Sequence, residues 1–223
     1  MNYSDSILIV RNILSSQECD GLIHEYKLKT DNLDGSGTDK NFVLEACPHA
    51  KTGVLTQSTF KRVNLDPRTE NFDLVHKTVN KMIQEWLKHL KSLNAFHVTA
   101  LSGNLNYAHQ YRLLCYDEGA KIHPHTDWDH CTHASCTINL NDDYTGGEFS
   151  FFNGKHNVNL GKGDAMIWPA DPFWVHEVKP IKSGKRYSTN CFICSVPNEE
   201  RQIVNKQILL LNKHTSPFKY SGR

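Results

Sequence analysis

Between residues 71 and 93, apolar side chains return every third or fourth position: Phe72, Val75, Val79, Met82, Ile83, Trp86, Leu87, Leu90 and Leu93. That spacing predicts an amphipathic helix with its apolar stripe turned to a core. Nearer the N-terminus, residues 7–10 (Ile-Leu-Ile-Val) read as a short buried strand. Ser15 followed three positions later by Glu18 forms a capping box, which predicts a helix with Cys19, Leu22, Ile23 and Tyr26 facing inward. The pattern then breaks. Residues 30–40 are polar and Gly-rich and read as a loop. Residues 41–65 are irregular, with short strands expected near 54–55 and 59–63.

From residue 96 the period changes to short apolar runs at 96–101, 110–116, 122–127, 134–140, 148–152, 158–160, 165–168, 176–178 and 186–195. Turn residues separate them: Gly103, Asn141-Asp142-Asp143, Gly146-Gly147, Asn153-Gly154, Lys162-Gly163 and Ser183-Gly184. Many short strands with regular turn signals predict a sandwich or barrel. The count fits a double-sheet jelly roll. The expected fold class is therefore α+β, mainly β: a double-stranded β-helix (jelly roll, cupin-like) core with buttressing N-terminal helices. Residues 1–197 are expected to form one domain, with supporting elements over 1–95 and the jelly roll over 96–197. Residues 198–223 read as a C-terminal extension, with a helix or strand near 203–211 and a frayed end.

Composition narrows the classes. The 223 residues carry 25 basic and 24 acidic side chains, a net charge of +1. This balance points away from a nucleic-acid footprint and from an anionic membrane surface. The sequence has no apolar run of membrane-spanning length, and its first residues lack a basic signal-peptide region. The seven cysteines are odd in number and scattered, unlike a secreted disulfide framework. Cys191 and Cys194 lie on an expected strand, which would send their thiols to opposite faces and disfavours a zinc site. A cytoplasmic protein with reduced thiols is the expectation.

The chemistry concentrates between residues 110 and 192. His125 and Asp127 stand two apart on an expected strand, so both point the same way. His176 arrives much later, close to another expected strand. Two imidazoles and one carboxylate suit ferrous iron and can occupy one face of an octahedron, leaving positions open. The tripeptide alone is a weak signal in a chain with 13 histidines. His123 shares the parity of His125, and Asp129, His130 and His133 are nearby.

The order of the whole set says more. Gln110-Tyr111-Arg112-Leu113-Leu114-Cys115-Tyr116, then Gly119 and Pro124-His125-Thr126-Asp127, is followed by Tyr144-Thr145-Gly146-Gly147-Glu148-Phe149. Next come Gly161-Lys162-Gly163-Asp164-Ala165, His176-Glu177-Val178-Lys179-Pro180 and Gly184-Lys185-Arg186-Tyr187. This succession resembles the iron- and 2-oxoglutarate-dependent oxygenases, specifically the prolyl 4-hydroxylase-like branch. The likeness covers about residues 110–195 well and the N-terminal part loosely.

The resemblance implies His125, Asp127 and His176 as iron ligands. Tyr116, nine residues before His125, favours that register over one using His123. It implies Arg186 as the anchor for the distal carboxylate of 2-oxoglutarate, where a guanidinium offers a bidentate match. Tyr116 would be a second contact and Asn139 a weaker candidate for the pocket wall. Trp174 is open between covering the site and packing. A carboxylate at Asp127 sets the chain apart from related halogenases, which carry a small residue there. The implied cofactors are Fe(II), 2-oxoglutarate and O2, with ascorbate as a reductant. The implied reaction is hydroxylation of an unactivated C–H, foremost of a peptidyl proline, with succinate and CO2 released. A free amino acid or other small molecule is the alternative substrate, and a non-catalytic metal-binding sensor is a third reading. Residues 30–65 and 128–133 are where contacts to a peptide or protein partner are expected. The oligomeric state is left open.

Overall fold

The computed structural model describes residues 2–31, 46–48, 52, 55–57, 59–128, 131–197, 199, 200 and 203. A 3-10 turn (Tyr3–Ser6) leads into β1 (Leu8–Val10) and α1 (Ser16–Asp31). Then come β2 (Ala46–Pro48), β3 (Leu55–Gln57), β4 (Lys61–Asn64), α2 (Glu70–Ser92) and α3 (Val98–Asn104). The remainder is strand: β5 (Tyr107–Tyr116), β6 (Ile122–His125), β7 (Thr132–Asn139), β8 (Thr145–Gly146) and β9 (Phe149–Phe151). It continues through β10 (His156–Val158), β11 (Ala165–Pro169), β12 (His176–Val178), β13 (Ile181–Ser183) and β14 (Arg186–Cys194).

Two antiparallel sheets carry the fold. The larger has six strands in the order β1-β11-β7-β14-β5-β4, and the smaller has four in the order β10-β9-β12-β6. Two hydrophobic clusters divide the strands by parity. Leu113, Cys115, Cys136, Ile138, Ala165, Ile167, Cys191 and Ile193 pack toward α1 and α2. The alternate positions Leu114, Tyr116, Met166 and Trp168 pack instead with Phe149, Phe151 and Val178 of the smaller sheet. This is the expected mainly-β jelly roll with buttressing helices.

Local chemistry explains most elements. The α1 capping box is formed: the Ser15 amide donates to Glu18 Oε2 at 2.7 Å and the Glu18 amide to Ser15 Oγ at 3.3 Å. In α2, Phe72, Val75, Val79, Met82, Ile83, Trp86 and Leu90 are buried as the periodicity predicts, and the helix packs on β1 and β11. The Gly146-Gly147 turn has φ of +79° and +73°. A Cβ at Gly146 would run into the Pro180 carbonyl and lie 2.9 Å from the Lys182 amide nitrogen, so glycine is required there on both counts.

Four expectations need correction. Residues 96–101 are not a strand: α3 occupies 98–104, started by the His97 ring, whose Nδ1 accepts from the Ala100 amide at 3.2 Å. A local cap outweighs the strand-like composition there. Helix α1 runs to Asp31, past the expected loop start. β6 ends at His125, so Asp127 lies beyond the strand. β13 was not expected; it pairs with β8 across the Gly146 turn. Residues 204–211 of the expected C-terminal element and residues 32–45 lie outside the described residues.

Candidate metal centre

β6 and β12 are neighbours in the smaller sheet, and their register places His176 directly opposite His125. The two rings stand 4.4 Å apart between centroids. His125 Nε2 is 3.4 Å from Asp127 Oδ1, and His176 Nε2 is 3.4 Å from Asp127 Oδ2. One ligand atom from each of the three lies within 4.8 Å of the others. The Nδ1 atoms face backbone carbonyls, that of His125 at 2.8 Å from His123 O and that of His176 at 3.0 Å from Trp174 O. A carbonyl only accepts, so each Nδ1 carries a proton, and Nε2 is the nitrogen turned toward Asp127. Burial pushes the His176 imidazole down to about 4, against the pull of Asp127, which keeps it neutral and able to bind a metal at ordinary pH. Burial alone would raise the Asp127 carboxyl, but His176, His125 and the Ser135 hydroxyl outweigh it and hold the group well below the usual carboxylate range.

The three residues open into a cavity of about 210 Å³ between the sheets, also lined by Phe60, Leu114, Tyr116, Phe149, Trp168 and Val178. Arg186 stands behind this wall. It is 1 % exposed and opposite Tyr116 in the β14–β5 ladder. Its Cζ lies 5.1 Å from the Tyr116 ring centroid and 4.9 Å from that of Phe149. Its Nε donates to Asn139 Oδ1 at 3.0 Å, while Nη1 is buried without a hydrogen-bond partner among the described residues. A buried guanidinium nitrogen left unsatisfied is costly, so this atom calls for an acceptor. Lys185 points the other way and pairs with Asp117 at 2.9 Å.

Asn139 does not line the cavity. It is wholly buried, its Nδ2 donates to Asn141 O and Leu160 O, and its Oδ1 accepts from Arg186 and from the Tyr144 hydroxyl at 3.2 Å. Its place is one step back, holding the arginine. His123 is also outside the cavity lining, which takes Ile122 and His125 instead. The ladder explains this: His176 and Val178 on β12 face His125 and Ile122 on β6, an irregularity that resets the alternation. Trp174 packs on Phe152 at 5.3 Å and lines a separate groove, contributing only its carbonyl to His176. Asp129 and His130 lie outside the described residues.

Three further residues escaped the sequence reading. Ser188, two positions after Arg186 on β14, has a buried hydroxyl without a partner among the described residues. Arg112 lines the cavity, 3 % exposed, with Nε on Asn190 Oδ1 at 3.1 Å and its guanidinium 5.0 Å from the Phe192 ring centroid. Ser135 donates to Asp127 Oδ2 at 2.6 Å. Strand parity was the available signal: Ser188 shares it with Arg186, and Arg112 with Leu114 and Tyr116.

Fold and site together define a jelly-roll protein with a two-histidine, one-carboxylate face. Residues 111–194 match the family model of the 2OG-Fe(II) oxygenase superfamily. A PKHD-type hydroxylase of Cupriavidus pinatubonensis is 34 % identical over 90 residues, 39 % of each chain. Another from Psychrobacter is 32 % identical over 95 residues, 40 % of this chain and 36 % of that protein. The chain thus matches about two fifths of the length of these curated relatives. Among solved structures, a viral collagen prolyl hydroxylase from Paramecium bursaria Chlorella virus-1 superposes with a TM-score of 0.59 at 19 % identity, covering 88 % of this chain and 97 % of that one. A Pseudomonas putida prolyl-4-hydroxylase gives 0.60 at 16 % identity, covering 86 % and 94 %. A Trichoplax adhaerens prolyl hydroxylase, in complex with a hypoxia inducible factor oxygen degradation domain peptide, gives 0.62 at 14 % identity, covering 90 % and 87 %. Over residues 111–194 the chain is similar to the 2OG-Fe(II) oxygenase superfamily, and its fold is similar to that of prolyl hydroxylases.

The superfamily works with Fe(II), 2-oxoglutarate and O2, and the residues present fit them. Two imidazoles and a carboxylate are the donor set for ferrous iron with positions left open. The unsatisfied Arg186 Nη1 and Ser188 hydroxyl match a carboxylate.

Proposed function

We propose that this chain is an Fe(II)/2-oxoglutarate-dependent dioxygenase that hydroxylates an unactivated C–H, foremost that of a prolyl residue in a peptide or protein, with succinate and CO2 as coproducts. The observation that carries this reading is the clustering of His125, Asp127 and His176 in one cavity whose aromatic wall is backed by the unsatisfied Arg186. In this reading His125, Asp127 and His176 hold the iron. Arg186, with Ser188 and the Tyr116 hydroxyl, holds the distal carboxylate of 2-oxoglutarate. Asn139 and Tyr144 fix the guanidinium. When bound, iron and cosubstrate supply the oxidising chemistry with O2, and ascorbate serves to keep the metal reduced. The chain's own part is to bind, orient and exclude water. Leu114, Phe149, Trp168 and Val178 surround the metal side with hydrocarbon, which strengthens each charge interaction inside.

The peptide reading draws support from the fold shared with a collagen prolyl hydroxylase and with a prolyl hydroxylase complexed to a peptide. A second reading, a free amino acid or another small acid as substrate, is favoured by one observation. Arg112 is a buried cation on the cavity wall, and it would pair well with a substrate carboxylate. A cytoplasmic setting is proposed with this reading; Cys19, Cys115, Cys131, Cys136, Cys191 and Cys194 are free thiols. Residues 1–197 are proposed as the oxygenase unit. The test is succinate release by iron-loaded protein, first with 2-oxoglutarate alone, then with proline-containing peptides, then with free amino acids. Products are analysed by mass spectrometry for the gain of one oxygen atom. Peptide-dependent succinate with an oxidised prolyl residue is expected. Stimulation only by free amino acids selects the second reading, and no succinate under any condition leaves a metal-binding module.

A further inference from the structure

Asp127 is held differently from its two partners. His125 and His176 face each other in a hydrogen-bonded ladder, and each ring is tied through Nδ1 to a carbonyl two residues upstream. Asp127 lies past the end of β6 and is followed by Trp128, which is 53 % exposed. What anchors its carboxylate is a side chain from the opposite sheet, the Ser135 hydroxyl at 2.6 Å from Oδ2. Ser135 sits near the middle of β7, with Trp168 of β11 on one side and Phe192 of β14 on the other, and is 2 % exposed. Its backbone is therefore pinned by two neighbouring strands. The bond crosses the cavity and joins the two sheets at the candidate metal centre. It takes up Oδ2 and leaves Oδ1 turned toward His125 Nε2.

We propose that Ser135 is a positioning residue for the metal site: its hydroxyl fixes the rotation of the Asp127 carboxylate so that it joins the two imidazoles on one face. This inference rests on the reading of His125, Asp127 and His176 as metal ligands. A carboxylate past the end of a strand can turn about both side-chain torsions, and no ladder partner fixes its backbone. A short O–H···O⁻ bond in a water-poor cavity is among the stronger hydrogen bonds a neutral donor makes. Loss of such an outer partner costs metal sites about 10- to 100-fold in affinity. Neighbouring positions of β7 do not offer a substitute: Thr137 donates to Thr189 O, and the Asn139 amide is occupied by Asn141 O and Leu160 O.

The experiment titrates Co(II) into the wild-type chain and into the Ser135→Ala, Ser135→Thr and Ser135→Cys variants. Binding is followed by calorimetry and by the visible absorption of the bound cobalt, with thermal melts of each metal-free protein alongside. Ser135→Ala is expected to bind Co(II) about 10- to 100-fold more weakly, with an altered cobalt spectrum and an unchanged metal-free melt. Ser135→Thr keeps the hydroxyl and is expected to restore both affinity and spectrum. Ser135→Cys keeps the volume but carries only a weak donor, and is expected to follow alanine. It serves the same purpose if the alanine variant does not fold. Wild-type affinity and spectrum in Ser135→Ala or Ser135→Cys overturns the inference, as does a threonine variant no better than alanine. A wild-type chain that binds no Co(II) overturns the metal reading itself and this inference with it. Wild-type binding unaffected by the Ser135 variants overturns this inference alone.

Discussion

The two faces of β14 contrast sharply although they alternate along the same nine residues. Tyr187, Cys191 and Ile193 turn to the helices, where they join a packed cluster with Met82, Ile83 and Leu113. Arg186, Ser188, Asn190 and Phe192 turn to the cavity side. The helix-side cluster gains from removing hydrocarbon and thiol from water. The other face buries a guanidinium nitrogen and a hydroxyl without partners among the described residues, arrangements that cost stability. The helix side also buries one unpartnered hydroxyl, that of Thr189, but among the described residues only the cavity side of this strand buries a charged group with an unpartnered atom, Arg186 Nη1. Parity thus separates residues that hold the fold from residues proposed to serve a ligand, and substitutions on the two sides should have separable consequences.

The largest effects belong at the cavity mouth. His125→Ala, Asp127→Ala and His176→Ala are each expected to abolish iron binding and turnover, while His123→Ala leaves iron bound; calorimetric titration of Fe(II) under anaerobic conditions checks this. Metal retained by His125→Ala and lost by His123→Ala would reverse the assignment. Next comes Arg186→Ala. Removing one partner of a buried charge pair costs roughly 3–5 kcal/mol, so 2-oxoglutarate should bind two to three orders of magnitude more weakly, at about 1.4 kcal/mol per tenfold. Iron affinity should hold, and Arg186→Lys should keep part of the binding because the charge survives without the fork. Titration of the iron-loaded variants with 2-oxoglutarate, followed by absorption, measures both. A wild-type affinity in Arg186→Ala would move the anchor elsewhere, with Lys185 the first place to look.

A smaller effect is expected on the helix side. Ile193→Val should lower stability by roughly 0.5–1.5 kcal/mol in denaturant titration, with metal and cosubstrate affinities of the folded protein unchanged. A parallel loss of cosubstrate affinity would break the division between the faces. The smallest effect lies at the edge of the larger sheet, where Asp164 pairs with Arg11 at 2.5 Å and accepts from the Asn12 and Gly161 amides. Burial raises its carboxyl, but these partners outweigh burial and leave it lowered. A lowered carboxyl contributes stability that is fully present above its unfolded value of about 3.9 and is lost as pH falls through the folded value. The thermal midpoint of the wild type should therefore drop further than that of Asp164→Asn as pH is taken below that range. Parallel curves would show that the pair contributes nothing.

Much of this was legible in the residues themselves. The α2 periodicity, the Ser15–Glu18 capping box and the turn glycines are local signals, each set by neighbours within a few positions, and the structure reproduces them. The order of His125, Asp127, His176 and Arg186 pointed to iron and an acidic cosubstrate through its resemblance to the oxygenase motifs. Residues 96–101 misled, because an apolar, β-branched composition carried no trace of the His97 cap that starts α3.

By itself, then, the sequence determined which chemical groups are present, the helical stripe and the turns, because those depend on residue type and near neighbours. Tertiary structure alone decided where the groups point. Parity along a strand says which side chains share a side, but cross-strand pairing decides which side meets the cavity and where an irregularity resets the count. That is why Ile122 rather than His123 lines the site, and why Asn139 stands behind Arg186. It is also why Ser135, eight residues from Asp127 and on the other sheet, comes to hold its carboxylate.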